Sequence, residues 1–179
     1  MTVEPINPGI VMRKVGAAVI IIFFLVTLQG CYSFKGGGAQ PAHLKTIALP
    51  IFDDRSGAGI AQFRVELTKG LIDKMESQSL LRFTPSIGRA DALLEGAIIS
   101  FSDVPDQLSS KTERAITNRI TVVVQATMED RVKKTVLFTQ SFVGFADYPV
   151  GNYTAQQEAI RFALVQVVDG IFDRVISGW

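Results

Sequence analysis

Apolar and polar side chains alternate along the chain between residues 118 and 129. A strand that places one face of a sheet on a core has this period of two. The apolar positions are Ile120, Val122, Val124, Ala126 and Met128. After the charged residues 130–134, residues 135–145 repeat a strand-like pattern. The two runs are therefore predicted to pair as a long hairpin.

Two other segments have apolar residues at steps of three and four, which is typical of amphipathic helices. The first helix is predicted from about residue 60 to residue 75, and the second from about residue 154 to residue 176. Thr154 is the expected N-cap of the second helix, with Gln157 completing a capping box. The buried stripes comprise Ile60, Phe63, Leu67, Leu71 and Met75 in the first helix, and Ile160, Leu164, Val167, Ile171 and Val175 in the second.

Three shorter strands are predicted around the first helix. Residues 45–52 form an apolar run in which Pro50 indicates the end of a strand or an edge position, and residues 53–57 are typical of a turn. Residues 80–83 and 92–101 are further strands, and Gly96 marks either a bulge or close packing. The pattern predicts an α+β fold, with two helices packed on one face of a small mixed, largely antiparallel β-sheet.

The first thirty residues have the layout of a secretion signal. Arg13 and Lys14 precede an apolar run over residues 15–28, which is shorter than the roughly 20 residues that a stable membrane span needs. Met12, directly before the basic pair, is a second possible start beside Met1. We therefore predict a signal peptide over residues 1–30, a flexible glycine-rich tether over residues 31–44 and a single domain over residues 45–179.

The signal ends in Leu28-Gln-Gly-Cys31, which resembles a bacterial lipobox. The resemblance implies cleavage after Gly30, diacylglycerol on the sulfur of Cys31 and an N-acyl lipid on its amino group. Cys31 is the only cysteine of the chain, so it has no disulfide partner within the chain. The alternative is a signal anchor that stays attached, with Cys31 an incidental thiol.

Charge and side-chain chemistry restrict the function. Without residues 1–30 the chain has equal numbers of acidic and basic residues, which argues against a nucleic-acid partner. The single histidine, His43, lies beside the tether and is expected to be a surface residue rather than a general base. Asp53 and Asp54 are interpreted as turn residues. No set of candidate metal ligands stands out, so neither an enzyme nor a bound cofactor is expected.

Five segments together resemble the lipopolysaccharide-assembly lipoprotein family LptE, in particular members from Bacteroidetes- and Chlorobi-type bacteria. They are Cys31-Tyr-Ser-Phe-Lys-Gly-Gly, Ile47-Ala-Leu-Pro-Ile-Phe-Asp-Asp-Arg-Ser-Gly, Ala90-Asp-Ala-Leu-Leu-Glu-Gly, Ser141-Phe-Val-Gly-Phe and Ser177-Gly-Trp. The resemblance implies a non-enzymatic lipoprotein anchored in the outer membrane and facing the periplasm. Such a protein would plug and help to assemble an LptD-type β-barrel and assist insertion of lipopolysaccharide into the outer leaflet.

A different function stays open for the same residues. The segment from Ile47 to Gly57 is also similar to the opening strand and turn of regulatory or secretion lipoproteins, which activate peptidoglycan synthases or form curli-type pores. The compact single domain and the closing Ser177-Gly-Trp favour the LptE family.

Two basic clusters are candidate binding sites. Arg131, Lys133 and Lys134 lie in the predicted hairpin turn, where they could bind the phosphates of lipopolysaccharide by charge-assisted hydrogen bonds. They could equally be solvated charges that protect a sheet edge. Residues 111–114 with Arg119 form a weaker candidate, because their mixed charges indicate ordinary surface pairing.

Overall fold

The computed structural model describes residues 41–59, 61–108 and 115–177. Within them the chain forms six strands and two long α-helices. The elements are, in chain order, β1 Thr46–Ala48, β2 Asp53–Asp54, α1 Ala61–Gln78, β3 Arg82–Phe83, a short 3-10 helix Ile87–Arg89, β4 Ala92–Leu108, β5 Ala115–Asp130, β6 Thr135–Pro149 and α2 Tyr153–Ile176. Cys31 and the rest of the predicted signal and tether up to residue 40 lie outside the described residues.

The sheet is mixed, as predicted. Its strand order is β3-β1-β4-β5-β6, and β2 pairs separately with β4. The short strand β1 pairs in parallel with both β3 and β4, and β2 pairs in parallel with β4. The long strands β4, β5 and β6 form an antiparallel meander. The prediction of an α+β fold with two helices on one sheet is therefore confirmed.

The core lies between the sheet and the two helices. All five alternating apolar residues of β5 are at most 1% exposed, so the predicted inward face is correct. Both predicted helical stripes are buried against this face, apart from Ile60, which lies outside the described residues. Leu44, in the lead-in before β1, is also part of this core.

Glycine allows the closest contact between the layers. Gly144 lies in β6 where α2 crosses it, and a Cβ at this position would be only 1.9 Å from the carbonyl oxygen of Ala163. Gly96 in β4 is similarly covered by the ring of Phe52. Close packing is thus the reason for Gly96, and the nearest register shift falls instead between Ile98 and Ser100.

Two predicted details are wrong. Asp53 and Asp54 form strand β2 beside Ala97 and Ile98 of β4, so the predicted turn begins only after them, where Asp54 accepts a hydrogen bond from the N–H of Ser56. The N-cap of α2 is not Thr154, which lies inside the helix that begins at Tyr153. Asn152 caps it, since its side-chain oxygen accepts a hydrogen bond of 3.0 Å from the N–H of Ala155.

Strand β6 forms one edge of the sheet, and α2 protects part of that edge. The side-chain amide of Gln166 donates to the carbonyl oxygen of Phe145 at 2.8 Å, and its oxygen accepts from the N–H of Phe145 at 3.3 Å. One side chain therefore satisfies both backbone groups of an edge residue, as a neighbouring strand would.

Candidate functional site

The β5–β6 hairpin carries the predicted cluster Arg131, Lys133 and Lys134 in its four-residue turn. We call residues 131–134 the basic turn. Lys134 has φ 55°, in the left-handed region, directly before β6 begins. Lys133 and Lys134 are exposed and Arg131 is half-buried. No ion pair joins any of these three cations to a described carboxylate, so their charges are available to a ligand.

The buried carboxylate of Asp130 holds the base of this turn. Its Oδ1 accepts a hydrogen bond of 2.9 Å from the N–H of Lys133, and its Oδ2 lies 2.6 Å from Nε2 of His43. The N–H of Arg131 donates to the carbonyl oxygen of Asp91 at 2.9 Å. The turn is thereby fixed both to its own strand and to the segments before β1 and β4.

His43 corrects a prediction. We expected a surface residue, but its side chain is only 29% exposed and contacts Asp130, which is 1% exposed. Burial raises the pKa of Asp130, but the N–H of Lys133 and the side chain of His43 outweigh it, so the net shift of this pKa is downward. Asp130 is therefore a charged group inside the fold, stabilised by the residues around it.

The second predicted cluster lies at the opposite end of the hairpin. Arg119 forms two hydrogen bonds with Asp147, at 2.7 and 2.9 Å, and an ion pair with Asp106 at 3.2 Å. The hydrogen bonding that Arg119 donates to Asp147 raises the pKa of Arg119 and lowers that of Asp147. Arg119 is thus engaged in surface pairing, as the mixed charges indicated. Residues 111–114 lie outside the described residues.

A half-buried polar cluster at the same end is not predicted by the sequence pattern. Asp103 accepts hydrogen bonds from Tyr148 at 2.6 Å, from Gln156 at 2.7 Å and from Asn118 at 3.0 Å. Burial is the main cause that raises the pKa of Tyr148, and its hydrogen bond to the Asp103 carboxylate raises this pKa further. The cluster joins β4, β5 and β6 to the first turn of α2, so it holds the long strands together.

The carboxylates of Asp53 and Asp54 each have a separate partner. Asp53 pairs with Arg55 at 3.3 Å, whereas Asp54 accepts hydrogen bonds from the N–H and the hydroxyl of Ser56.

Within residues 41–59, 61–108 and 115–177, no group of three His, Cys, Asp or Glu residues is placed to hold a metal ion. No helix in this part of the chain is both long enough and apolar enough to cross a membrane.

The fold and the basic turn define a small two-layer α+β module with an exposed cationic turn. The family model described as LptE, lipopolysaccharide-assembly, matches residues 44–175. The chain belongs to this family. The match includes every strand and nearly all of α2, so it describes the whole folded domain.

Solved structures share the fold at low sequence identity. A crystal structure of a protein from Xanthomonas campestris is similar with a TM-score of 0.58 and 14% identity, covering 74% of this chain and 83% of that one. A solution structure of an uncharacterized lipoprotein B from Nitrosomonas europaea has a TM-score of 0.56 and 13% identity, with the same shares covered. A search of curated proteins finds no significant match.

Proposed function

We propose that this protein is a lipid-anchored, periplasm-facing protein of the outer membrane that plugs and helps to assemble an LptD-type β-barrel. In that complex it assists insertion of lipopolysaccharide into the outer leaflet and has no enzymatic activity of its own. The family match over residues 44–175 carries this proposal. It covers the domain that would fill the barrel.

The sequence before the domain supports the lipid anchor. A basic pair, an apolar run and the lipobox-like Leu28-Gln-Gly-Cys31 follow one another in the order that lipoprotein processing requires. Diacylglycerol and an N-acyl chain on Cys31 would hold the protein at the membrane, because each buried methylene contributes about 0.8 kcal/mol and stable anchoring needs more than one chain.

The surface of the domain supports a protein partner. On the sheet face turned away from α1 and α2, Val143 and Phe145 of β6 are each about half exposed. Two further aromatic rings, Tyr153 and Phe162, are largely exposed on α2. A shallow groove between β6 and α2 has a volume of about 660 Å³ and includes Phe145 and Phe162. Exposed apolar and aromatic side chains of this kind are enriched where proteins bind one another.

Affinity purification in mild detergent tests the partner. We expect the acylated protein to copurify with a β-barrel of the LptD type. The Cys31→Ser protein, released from the membrane, is expected to recover much less of the barrel, because the anchor keeps both partners in one membrane. Recovery of a peptidoglycan synthase or of a homo-oligomeric ring instead of a barrel would favour the alternative lipoprotein classes.

The basic turn is our proposed contact for lipopolysaccharide. The side chains of Arg131, Lys133 and Lys134 project from a turn whose backbone is fixed by Asp130 and Asp91. Guanidinium and ammonium groups form short, charge-assisted hydrogen bonds with phosphate. A rigid turn that presents three such groups is therefore suited to the phosphates of lipid A.

Removing these three charges should weaken lipopolysaccharide binding. We expect Arg131→Ser, Lys133→Ser and Lys134→Ser together to lower affinity about tenfold or more at physiological salt, because hydrogen bonds with charged groups are lost. Binding of purified protein to fluorescent lipopolysaccharide measures this. The matched control replaces the exposed cations Arg55, Lys69 and Arg161 with serine. Equal affinity of the two triple variants would remove the basic turn from the function.

A further inference from the structure

The chain enters the domain beside the basic turn. His43 contacts Asp130 at the base of this turn. The next residues continue along the same end of the sheet, since the carbonyl oxygen of Lys45 accepts a hydrogen bond from the N–H of Arg82 at 2.9 Å. The starts of β1, β3, β4 and β6 and the end of β5 therefore lie together at this end of the domain.

Positive charge is concentrated at this end. We call it the basic end, and it comprises Lys45, Arg82, Arg89, Arg131, Lys133 and Lys134. No ion pair links these six side chains to a described carboxylate. Two carboxylates at this end are engaged, Asp130 as above and Asp91 by the N–H groups of Lys45 and Thr46 at 3.0 and 2.9 Å. Glu129, opposite Val136 near the end of β5, and Glu76, beside Arg82, lie there too, so the six cations are only partly offset. The hydrogen bond from the backbone N–H of Lys45 is the main cause that lowers the pKa of Asp91, and the hydrogen bond from the Thr46 hydroxyl lowers it further.

Apolar side chains project among these cations. Leu80 is 89% exposed, Val136 is 63% exposed and Val132, within the basic turn, is 58% exposed. Basic residues interspersed with exposed aliphatic ones are the composition of surfaces that bind anionic bilayers. Among the described residues of the opposite end, Arg119 is paired with Asp147 and Asp106.

The length of the chain before the domain brings the basic end close to the anchor. Ten peptide steps separate Cys31 from Pro41, the first described residue. Even a fully extended chain of this length spans only about 35 Å. Strand β6 alone, with its 15 residues, is about 50 Å long. A lipid anchor on Cys31 therefore leaves the basic end within easier reach of the membrane than the far end.

We propose that, in the acylated protein before it enters a barrel, the basic end is a membrane-docking surface, which rests on the anionic headgroups of the leaflet that holds the lipids of Cys31. The contact of His43 with Asp130 fixes the entering segment to this end and so sets the orientation of the domain. The long axis of the hairpin then points away from the membrane surface. This inference rests on the proposed lipid anchor and adds a second, non-covalent contact to it.

Site-specific fluorescence in vesicles tests the orientation. Acylation consumes the single native cysteine, so Val132→Cys provides the one free thiol for a dye in the acylated protein. Val150→Cys is the matched control, because Val150 is a similarly exposed valine in the turn after the far end of β6. Both proteins are reconstituted in phosphatidylglycerol-containing vesicles that carry a headgroup-attached quencher.

We expect quenching at position 132 and none at position 150, since about 50 Å of strand separates them. Quenching at position 132 should fall in pure phosphatidylcholine and in 1 M salt, where the screening length is about 3 Å. It should also fall when Arg131, Lys133 and Lys134 are serine, but not when Arg55, Lys69 and Arg161 are. Equal quenching at both positions, or no dependence on lipid charge, overturns the docking surface.

Mass spectrometry of the same preparations separates this inference from the proposed anchor. An unmodified Cys31 overturns both the proposed lipid anchor and the docking surface. Acylated protein that fails the quenching test overturns only the docking surface and leaves the proposed anchor and barrel partner intact.

Discussion

Replacing Gly144 with alanine is expected to lower the free energy of unfolding by about 3–5 kcal/mol, which is enough to unfold many single domains. The added Cβ would lie 1.9 Å from the carbonyl oxygen and 2.8 Å from the carbonyl carbon of Ala163. Both are backbone atoms of α2, so no side-chain rotation relieves the overlap. The helix would have to move off β6, which disrupts the packing of Val167 and its neighbours.

Urea unfolding followed by circular dichroism measures this loss, and Gly88→Ala is the control. A Cβ at Gly88 would meet no atom within 4 Å, so the same chemical change there should leave the unfolding midpoint nearly unchanged. If the two variants unfold at the same urea concentration, the close contact between β6 and α2 does not support the domain.

Removing the carboxylate of Asp130 is the second change with a large expected effect. Asp130→Ala should lower the free energy of unfolding by about 3 kcal/mol at neutral pH, because two partners lose hydrogen bonds with a buried, charged acceptor. Those partners are the N–H of Lys133 and the side chain of His43. Exposed Asp73 on α1 provides the control, since Asp73→Ala removes the same charge from a solvated position.

The stability contributed by Asp130 should depend on pH in one direction. Its pKa in the folded protein lies below the ordinary value, so this contribution is present above the pKa of the unfolded chain and is lost as the pH falls through the folded pKa. Asp130→Asn keeps an acceptor for Lys133 but has no charge to titrate. The stability difference between wild type and Asp130→Asn should therefore shrink as the pH is lowered below about 4. A difference that stays constant with pH would exclude the charged carboxylate as its source.

Local patterns in the sequence predict the layers of this fold. Strict alternation predicts which face of β5 is buried, because a strand presents successive side chains to opposite sides. Steps of three and four residues predict the buried stripes of α1 and α2, because residues at this spacing lie on the same face of a helix. Lys133 and Lys134 are predictably exposed, since they interrupt two apolar strands at a turn, whereas Arg131 is half-buried.

Contacts between distant segments cannot be predicted in this way. His43 and Asp130 are 87 residues apart, and nothing in the residues around His43 indicates a buried partner. Asp103 and Tyr148 are joined only by the register of three strands. The sequence does not decide the cap of α2, because both Asn152 and Thr154 are good capping residues and the backbone conformation decides between them.

The side-chain amide of Gln166 affects how the β6 edge of the sheet behaves in the unbound protein. An exposed edge strand invites pairing with a second chain, and long edges are sites of aggregation. Gln166 occupies both backbone groups of Phe145, so a strand from another copy that added along β6 in register would have to displace it. The domain is thereby protected from self-association at this point of the edge, while the side chains of Val143 and Phe145 stay about half exposed.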